Sequence, residues 1–355
     1  MTPAVTQLLS GGPAALASLA ARWGGQGFVV DLGGPVHWVD FGGPPGSPAP
    51  PLVLVHGLGG SHLDWVRVAP ALAAERRVLA LDLPGFGLSP AAGRLATVQA
   101  SAALLGRFIR EVAGSPAVVV GNSMGGAISI LLAHADPAAV AGLVLVDAPL
   151  PVAGSWRWPD QRLAVDFALY VTPGAGEFYL ASARWRMTPR QQVERIAELC
   201  FADPGRASPE VTEASVRLAE FRRTVAGTER AFLQAARSLG GVLGWPGRYR
   251  EMAARLDRPV LVIHGECDRL VPVAAARRAA AAYAGWAAAL LPGIGHTPQL
   301  EAPDAVVAAI RGWTAGHAPA GGRPAPGRRA PGRPEPGREP RREPSRREPG
   351  RGAGR

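Results

Sequence analysis

The chain has 355 residues, 47% of them hydrophobic, and a formal net charge of +10, with arginine as its only basic residue apart from histidine. That is enough apolar chain for a sizeable core, but the charge argues less for a nucleic-acid or membrane partner than its sign suggests. A Pro/Gly/Arg/Glu tail from Pro319 onward carries 11 Arg and 4 Glu, so +7 of the +10 belongs to a segment with too few apolar residues to fold, and the body is close to neutral. Two distant cysteines exclude a disulfide framework and zinc-ligand spacing. No apolar run reaches membrane-spanning length and the first 20 residues lack the pattern of a signal peptide, so a cytoplasmic location is expected.

In chain order, Ala14–Trp23 reads as a helical lead-in. Gly27–Asp31 and Val36–Phe41 read as an antiparallel pair about a Gly33-Gly34-Pro35 turn. The strand 52–56 precedes His56-Gly57-Leu58-Gly59-Gly60, and a helix is expected near Leu63–Ala74. The strand Val78–Asp82 runs into a Pro84–Ser89 loop of the form Asp-x-Pro-Gly-x-Gly, and a helix spans about Thr97 to Val112. Residues 117–126, Ala-Val-Val-Val-Gly-Asn-Ser-Met-Gly-Gly, join an apolar run to a Gly-x-Ser-x-Gly turn and then to an Ala-rich helix over 127–135. Such a strand–turn–helix elbow lifts a serine out of the backbone, and Gly121 and Gly125 keep side chains out of the crowded turn.

Leu143–Asp147 is the next β-rich run, after which the alternation stops. Segments 160–170, 176–187, 189–200 and 208–239 have helical spacing instead. Strand character returns at Val260–His264, leading into Gly265-Glu266-Cys267-Asp268, and again at Ala287–Leu291, leading into Pro292-Gly293-Ile294-Gly295-His296. A last helix is expected over Pro298–Ala315. Strands alternating with helices imply an α/β fold with a doubly wound, mostly parallel sheet whose functional loops lie beyond the strand C-termini.

The elbow, the His-Gly loop after an earlier strand, and an aspartate loop followed by a histidine loop together resemble the α/β-hydrolase superfamily over roughly residues 26–315. The resemblance implies a core split by an inserted helical cap: residues 1–149 and 251–316 as core, 150–250 as cap, and 317–355 as a disordered tail. Trp156, Trp158, Trp185 and Trp245 would fall in the cap. It implies Ser123 as nucleophile, His296 as general base and Asp268 as the orienting acid, with Asp147 as a rival for that role. The backbone N–H groups of Leu58 and Met124 would form the oxyanion hole. His56 and His264 are expected to brace loops and Asp82 to be structural, while Glu266 and Glu301 should be peripheral. No cofactor or metal is expected, and the partner is a small-molecule substrate.

Serine at position 123, where haloalkane dehalogenases and epoxide hydrolases of this fold carry aspartate, points to acyl chemistry. The expected reaction is hydrolysis of carboxylic esters of small or medium apolar acids. The elbow Gly-Asn-Ser-Met-Gly-Gly, with Asn122 before the serine, also resembles that of meta-cleavage-product hydrolases, so C–C bond hydrolysis is the alternative. Arg184 and Arg186 would be candidates for the carboxylate of such a substrate, but Thr297-Pro298 departs from the aromatic those enzymes place after the histidine. A non-catalytic binding protein on the same fold is the reading from another class.

Overall fold

The computed structural model describes residues 6–7, 19–150 and 161–317. Residues 151–160 with Trp156 and Trp158, the tail, and most of the expected lead-in helix lie outside them; Ala21–Trp23 is a single 3-10 turn. Nine strands form one sheet: β1 (Thr6–Gln7), β2 (Gln26–Asp31), β3 (Pro35–Asp40), β4 (Leu52–Val55), β5 (Val78–Leu81), β6 (Ala117–Asn122), β7 (Val140–Val146), β8 (Val260–Gly265) and β9 (Trp286–Leu291). Their order is β1-β2-β3-β5-β4-β6-β7-β8-β9. The first three strands and the β3–β5 pair are antiparallel, and every pairing from β5 through β4 and β6 to β9 is parallel.

The central strands are almost continuous apolar runs because helices cover both faces of the sheet, as a parallel sheet requires. Side chains alternate between two core layers. Val53, Val55, Leu79, Leu81, Val119 and Leu143 enter one; Leu52, Leu54, Val78, Val120, Val144 and Ile263 enter the other. The first layer packs under helices Val98–Phe108 and Met124–Ala135, and the second under Ala69–Ala73 and Pro303–Gly316.

Two expected helices are each divided. Leu63–Ala74 is a 3-10 turn, His62–Trp65, capped by the Ser61 hydroxyl, followed by the helix Ala69–Ala73. The final helix breaks at Ala302 because Pro303 has no N–H to continue the ladder and instead starts a new helix.

Among the described residues, six α-helices lie between β7 and β8: Gln161–Val171, Ala175–Arg186, Pro189–Cys200, Pro209–Arg222, Thr228–Gly244 and Pro246–Ala254. The 208–239 stretch is split near Gly227, which sits at φ 82°. Ala231, Ala235 and Leu239 enter the first core layer, and Val211, Ala214 and Leu218 the second. Arg222 donates to the Gly85 carbonyl at 2.8 Å and lies over the Phe86 ring, pinning the helices to the loop after β5. None of the described helices is long and apolar enough to cross a membrane.

Asp82, expected to be structural, is the hub of that loop. Its buried carboxylate accepts the His62 and Leu88 N–H groups at 2.7 and 2.9 Å, and the Nδ1–H groups of His37 at 2.8 Å and His62 at 2.9 Å. Burial alone would push its pKa up, but the two imidazoles outweigh that and hold it well below the usual carboxylate range. A depressed pKa means that this stabilisation is present above about pH 4 and fades as acid titrates the folded carboxyl. Asp82→Ala strands four donors, and urea unfolding at pH 7 should show a loss of about 3–5 kcal/mol. A loss below about 1 kcal/mol would contradict the hub role.

Candidate active site

β6 ends at Asn122, and the chain reverses at Ser123 with φ 53° and ψ −117° before the helix Met124–Ala135 begins. A positive φ at a non-glycine residue costs about 1–3 kcal/mol and persists only where its surroundings enforce it. The enforcement is visible. The Ser123 N–H is held by the Val146 carbonyl at 2.9 Å. A Cβ on Gly121 would lie 2.4 Å from the Gly125 oxygen, and one on Gly125 would lie 2.3 Å from the Val55 oxygen. The elbow therefore has the shape its glycines predicted.

The His-Gly loop lies against this turn, close enough that a Cβ on Gly57 would be 3.3 Å from that of Ser123. His56 braces it by donating Nδ1–H to the Gly57 carbonyl at 2.7 Å and accepting the Leu83 N–H on Nε2 at 3.1 Å. Burial pushes its pKa down to about 4, so the ring is neutral at physiological pH. The N–H groups of Leu58 and Met124 find no backbone acceptor among the described residues.

The two downstream loops meet at the same sheet edge. His296 Nδ1 is 2.7 Å from Asp268 Oδ2, and both side chains are buried. The other Asp268 oxygen accepts the Leu270 and Val271 N–H groups at 2.7 and 3.0 Å. Burial favours the neutral acid, but His296, His264 and the Val271 N–H together keep the Asp268 pKa below its ordinary value. Asn122 joins the elbow to the histidine loop, its Nδ2 donating to the His296 carbonyl at 3.1 Å and to the Val146 carbonyl at 3.2 Å. The structure brings Ser123, Asp268, His296 and the 57–58 loop to one place.

Some expectations need correction. Glu301 is not peripheral. Its buried carboxylate accepts N–H groups from Gly295 at 2.7 Å, Asp203 at 3.0 Å and Ala202 at 3.1 Å, clamping the residue before His296 to the turn after helix Pro189–Cys200. The Cys200 carbonyl accepts the His296 N–H at 2.6 Å in the same clamp. A glutamate beside two prolines gave no sequence signal beyond its position five residues after the histidine. Glu266 does lie at the surface, paired with Arg277. Gly265 is needed for close approach, since a Cβ there would lie 2.2 Å from the Gly295 oxygen. Arg184 is engaged by Glu229 and by the Arg223 carbonyl, away from any buried carboxylate-binding role.

Among the described residues, two buried trios have potential ligand atoms within 4.8 Å of one another, His37–His62–Asp82 and Asp147–His264–Asp268. In the first, both imidazoles spend their Nδ1–H on Asp82, so internal hydrogen bonding accounts for the cluster. In the second, Asp147 accepts the Gly265 N–H at 2.9 Å and lies beside Asp268 without contacting His296 in its place. Above the His-Gly loop, Phe232 of helix Thr228–Gly244 stands 3.3 Å from where a Gly59 Cβ would be, and its ring packs edge-on against Tyr170.

A family model described as the alpha/beta hydrolase family matches residues 52–309. The chain is 31% identical over 278 residues to a dihydrolipoyllysine-residue acetyltransferase component of the acetoin cleaving system from Pseudomonas putida, covering 78% of this chain and 66% of that protein, just under two thirds of its length. It is 30% identical to the pimeloyl-[acyl-carrier protein] methyl ester esterase of Stenotrophomonas maltophilia over 77% of this chain and 96% of the relative. In fold it is similar to the Lip1 crystal structure from Acinetobacter baumannii, with a TM-score of 0.67 at 22% identity, covering 87% of this chain and 97% of that one.

Proposed function

The chain belongs to the alpha/beta hydrolase family, and from that premise we propose that it is a serine hydrolase cleaving carboxylic esters of small or medium apolar acids through an acyl-enzyme. The observation that carries this is the 2.7 Å His296–Asp268 hydrogen bond, held in loops that Asn122 ties to the elbow at Ser123.

In this reading the Ser123 hydroxyl attacks the ester carbonyl while His296 takes its proton. Asp268 holds the imidazole in the tautomer with Nδ1 protonated and stabilises the imidazolium that forms. The Leu58 and Met124 N–H groups receive the developing oxyanion, each worth about 3–4 kcal/mol in the transition state. The imidazolium then protonates the departing alcohol, and water repeats the sequence on the serine ester. Asn122 and Glu301 position the histidine loop without touching substrate. The helices from Gln161 to Ala254 act as the cap, and Phe232 supplies an apolar wall above the oxyanion loop. The esterase relative supports ester over C–C chemistry, and Arg184, spent on Glu229, offers no support for a diketone acid substrate.

A fluorophosphonate probe should label the wild type and spare Ser123→Ala, and a panel of p-nitrophenyl esters from acetate to octanoate should be turned over in preference to dienoate diketone acids. Absence of labelling in a folded wild type would favour a binding protein. Phe232→Ala should shift the preferred acyl chain upward, raising kcat/KM for octanoate relative to acetate by about 10-fold, the scale of one or two methylenes in an apolar pocket. An unchanged chain-length profile would remove Phe232 from the acyl site.

A further inference from the structure

Asp147 is the buried acid that the proposed mechanism leaves unused. It sits just past β7 at φ 45°, a left-handed conformation more common for aspartate than for most residues, and its N–H is fixed by the Ile263 carbonyl at 2.9 Å. Oδ1 accepts the Gly265 N–H, but Oδ2 is buried and has no donor among the described residues. His264 cannot supply one. Its Nε2 is 3.1 Å from the Val271 carbonyl, which takes the only proton of a neutral ring, and 3.6 Å from the carboxylates of both Asp147 and Asp268. Burial lowers the His264 pKa, so the ring is not a cation that could balance two anions.

The Asp147 and Asp268 carboxyl oxygens lie within 4.8 Å of each other in this buried site, and two carboxyl groups that close strongly disfavour being ionised together. The cation that forms in the proposed catalytic cycle, the imidazolium of His296, faces Asp268 Oδ2 at 2.7 Å. Asp268 also holds two backbone N–H donors, which favour its charged form. We propose, building on the triad reading above, that Asp147 is a neutral carboxylic acid whose O–H donates to the Asp268 carboxylate, so that the acid behind His296 is a carboxyl–carboxylate pair sharing one negative charge. Asp147 is thus a positioning residue: its donated hydrogen bond keeps Asp268 ionised and aimed at Nδ1.

The surrounding titratable groups agree. Burial first, and then the charges of Asp268 and Glu301, push the Asp147 carboxyl well above its ordinary range. The Cys200 thiol nearby is itself pushed up to about 12 and remains neutral. Because the folded pKa is raised, Asp147 contributes fully below about pH 4, and ionisation in the unfolded chain erodes stability as pH climbs toward the folded pKa. Asparagine reproduces the proposed state: its carbonyl accepts from Gly265 and its amide donates to Asp268, with no proton to lose.

The experiment compares wild type, Asp147→Asn and Asp147→Ala in the full chain. Asp147→Asn should match the wild-type Tm near pH 4, exceed it by at least about 2 °C at pH 8, keep kcat within a few-fold, and extend the alkaline limb of the pH profile. Asp147→Ala, which lacks the donor, should lower kcat about 10- to 100-fold at similar KM. Burial also raises the Asp64 carboxyl to about 7, so the reading is the wild type minus Asp147→Asn difference infrared spectrum at pH 7, which should contain a neutral carboxylic acid band that Asp64 does not contribute to. In Asp268→Asn that band should vanish at lower pH, since the neighbouring charge is gone. An Asp147→Asn protein less stable at pH 8 than the wild type, or a difference spectrum without the band, would overturn the pair. The Tm and infrared readings need no turnover, so they stand apart from the test of Ser123.

Discussion

Ser123→Ala should fold like the wild type and lose about 10⁴- to 10⁶-fold in kcat on its best ester. The substitution removes one oxygen from a site whose backbone is fixed by other contacts: the Val146 carbonyl holds the Ser123 N–H, and Gly126 and Ala127 donate to the Ser123 carbonyl. Alanine leaves all three in place, so circular dichroism and Tm should be nearly unchanged, and the positive φ at 53° remains the only local cost. The rate loss reflects the change of mechanism: without an acyl-enzyme, only direct attack of water remains, assisted by the oxyanion donors. KM should move little, because the hydroxyl contributes to the transition state far more than to ground-state binding. Near-wild-type turnover by the folded mutant, measured on the p-nitrophenyl panel, would end the serine-hydrolase reading.

Asp268→Asn should lower kcat by up to about 10⁴-fold, because an amide facing Nδ1 as a donor stabilises the opposite histidine tautomer, with the proton on Nε2 where the base must be free. The two N–H groups of Leu270 and Val271 can still be accepted by the asparagine carbonyl, which argues for a folded protein. The Asp268 pKa is depressed despite burial, so its stabilising contribution is present above about pH 4 and is lost as pH falls through the folded pKa. The mutant should therefore show a smaller acid-induced drop in Tm than the wild type between about pH 5 and 3. Asp147→Asn, by contrast, should keep its activity. If the rates of the two mutants came out reversed, the strand β7 aspartate would be the partner of His296.

Much of the fold was legible because its signals are local. Short apolar runs at 52–55, 78–81, 117–120 and 260–263, each bounded by Gly or other turn residues, read as strands buried on both faces, and the helical spacing between β7 and β8 marked the inserted block. Boundaries inside that block shifted where a single residue acts, as at Gly227, and the C-terminal helix broke at Pro303. The elbow was legible for the same reason. The close approaches that demand glycine at 121 and 125 lie within the motif or against the adjacent strand β4, and the spacing of the glycines records them.

What the sequence determined alone was which residue types stand at the ends of which strands: a serine in a glycine-flanked turn, then an aspartate loop, then a histidine loop. Only the tertiary structure decided which of the buried acids meet. Asn122 reaches a carbonyl 174 positions away, and Asp147 accepts an N–H 118 positions away. Glu301 was misread because a carboxylate that collects three backbone N–H donors leaves no periodic trace; its partners at 202, 203 and 295 come from separate loops. The closeness of Asp147 to Asp268 has the same origin. Each aspartate follows its own strand, and only the parallel register of β7 against β8 brings the two buried carboxyl groups within 4.8 Å of each other.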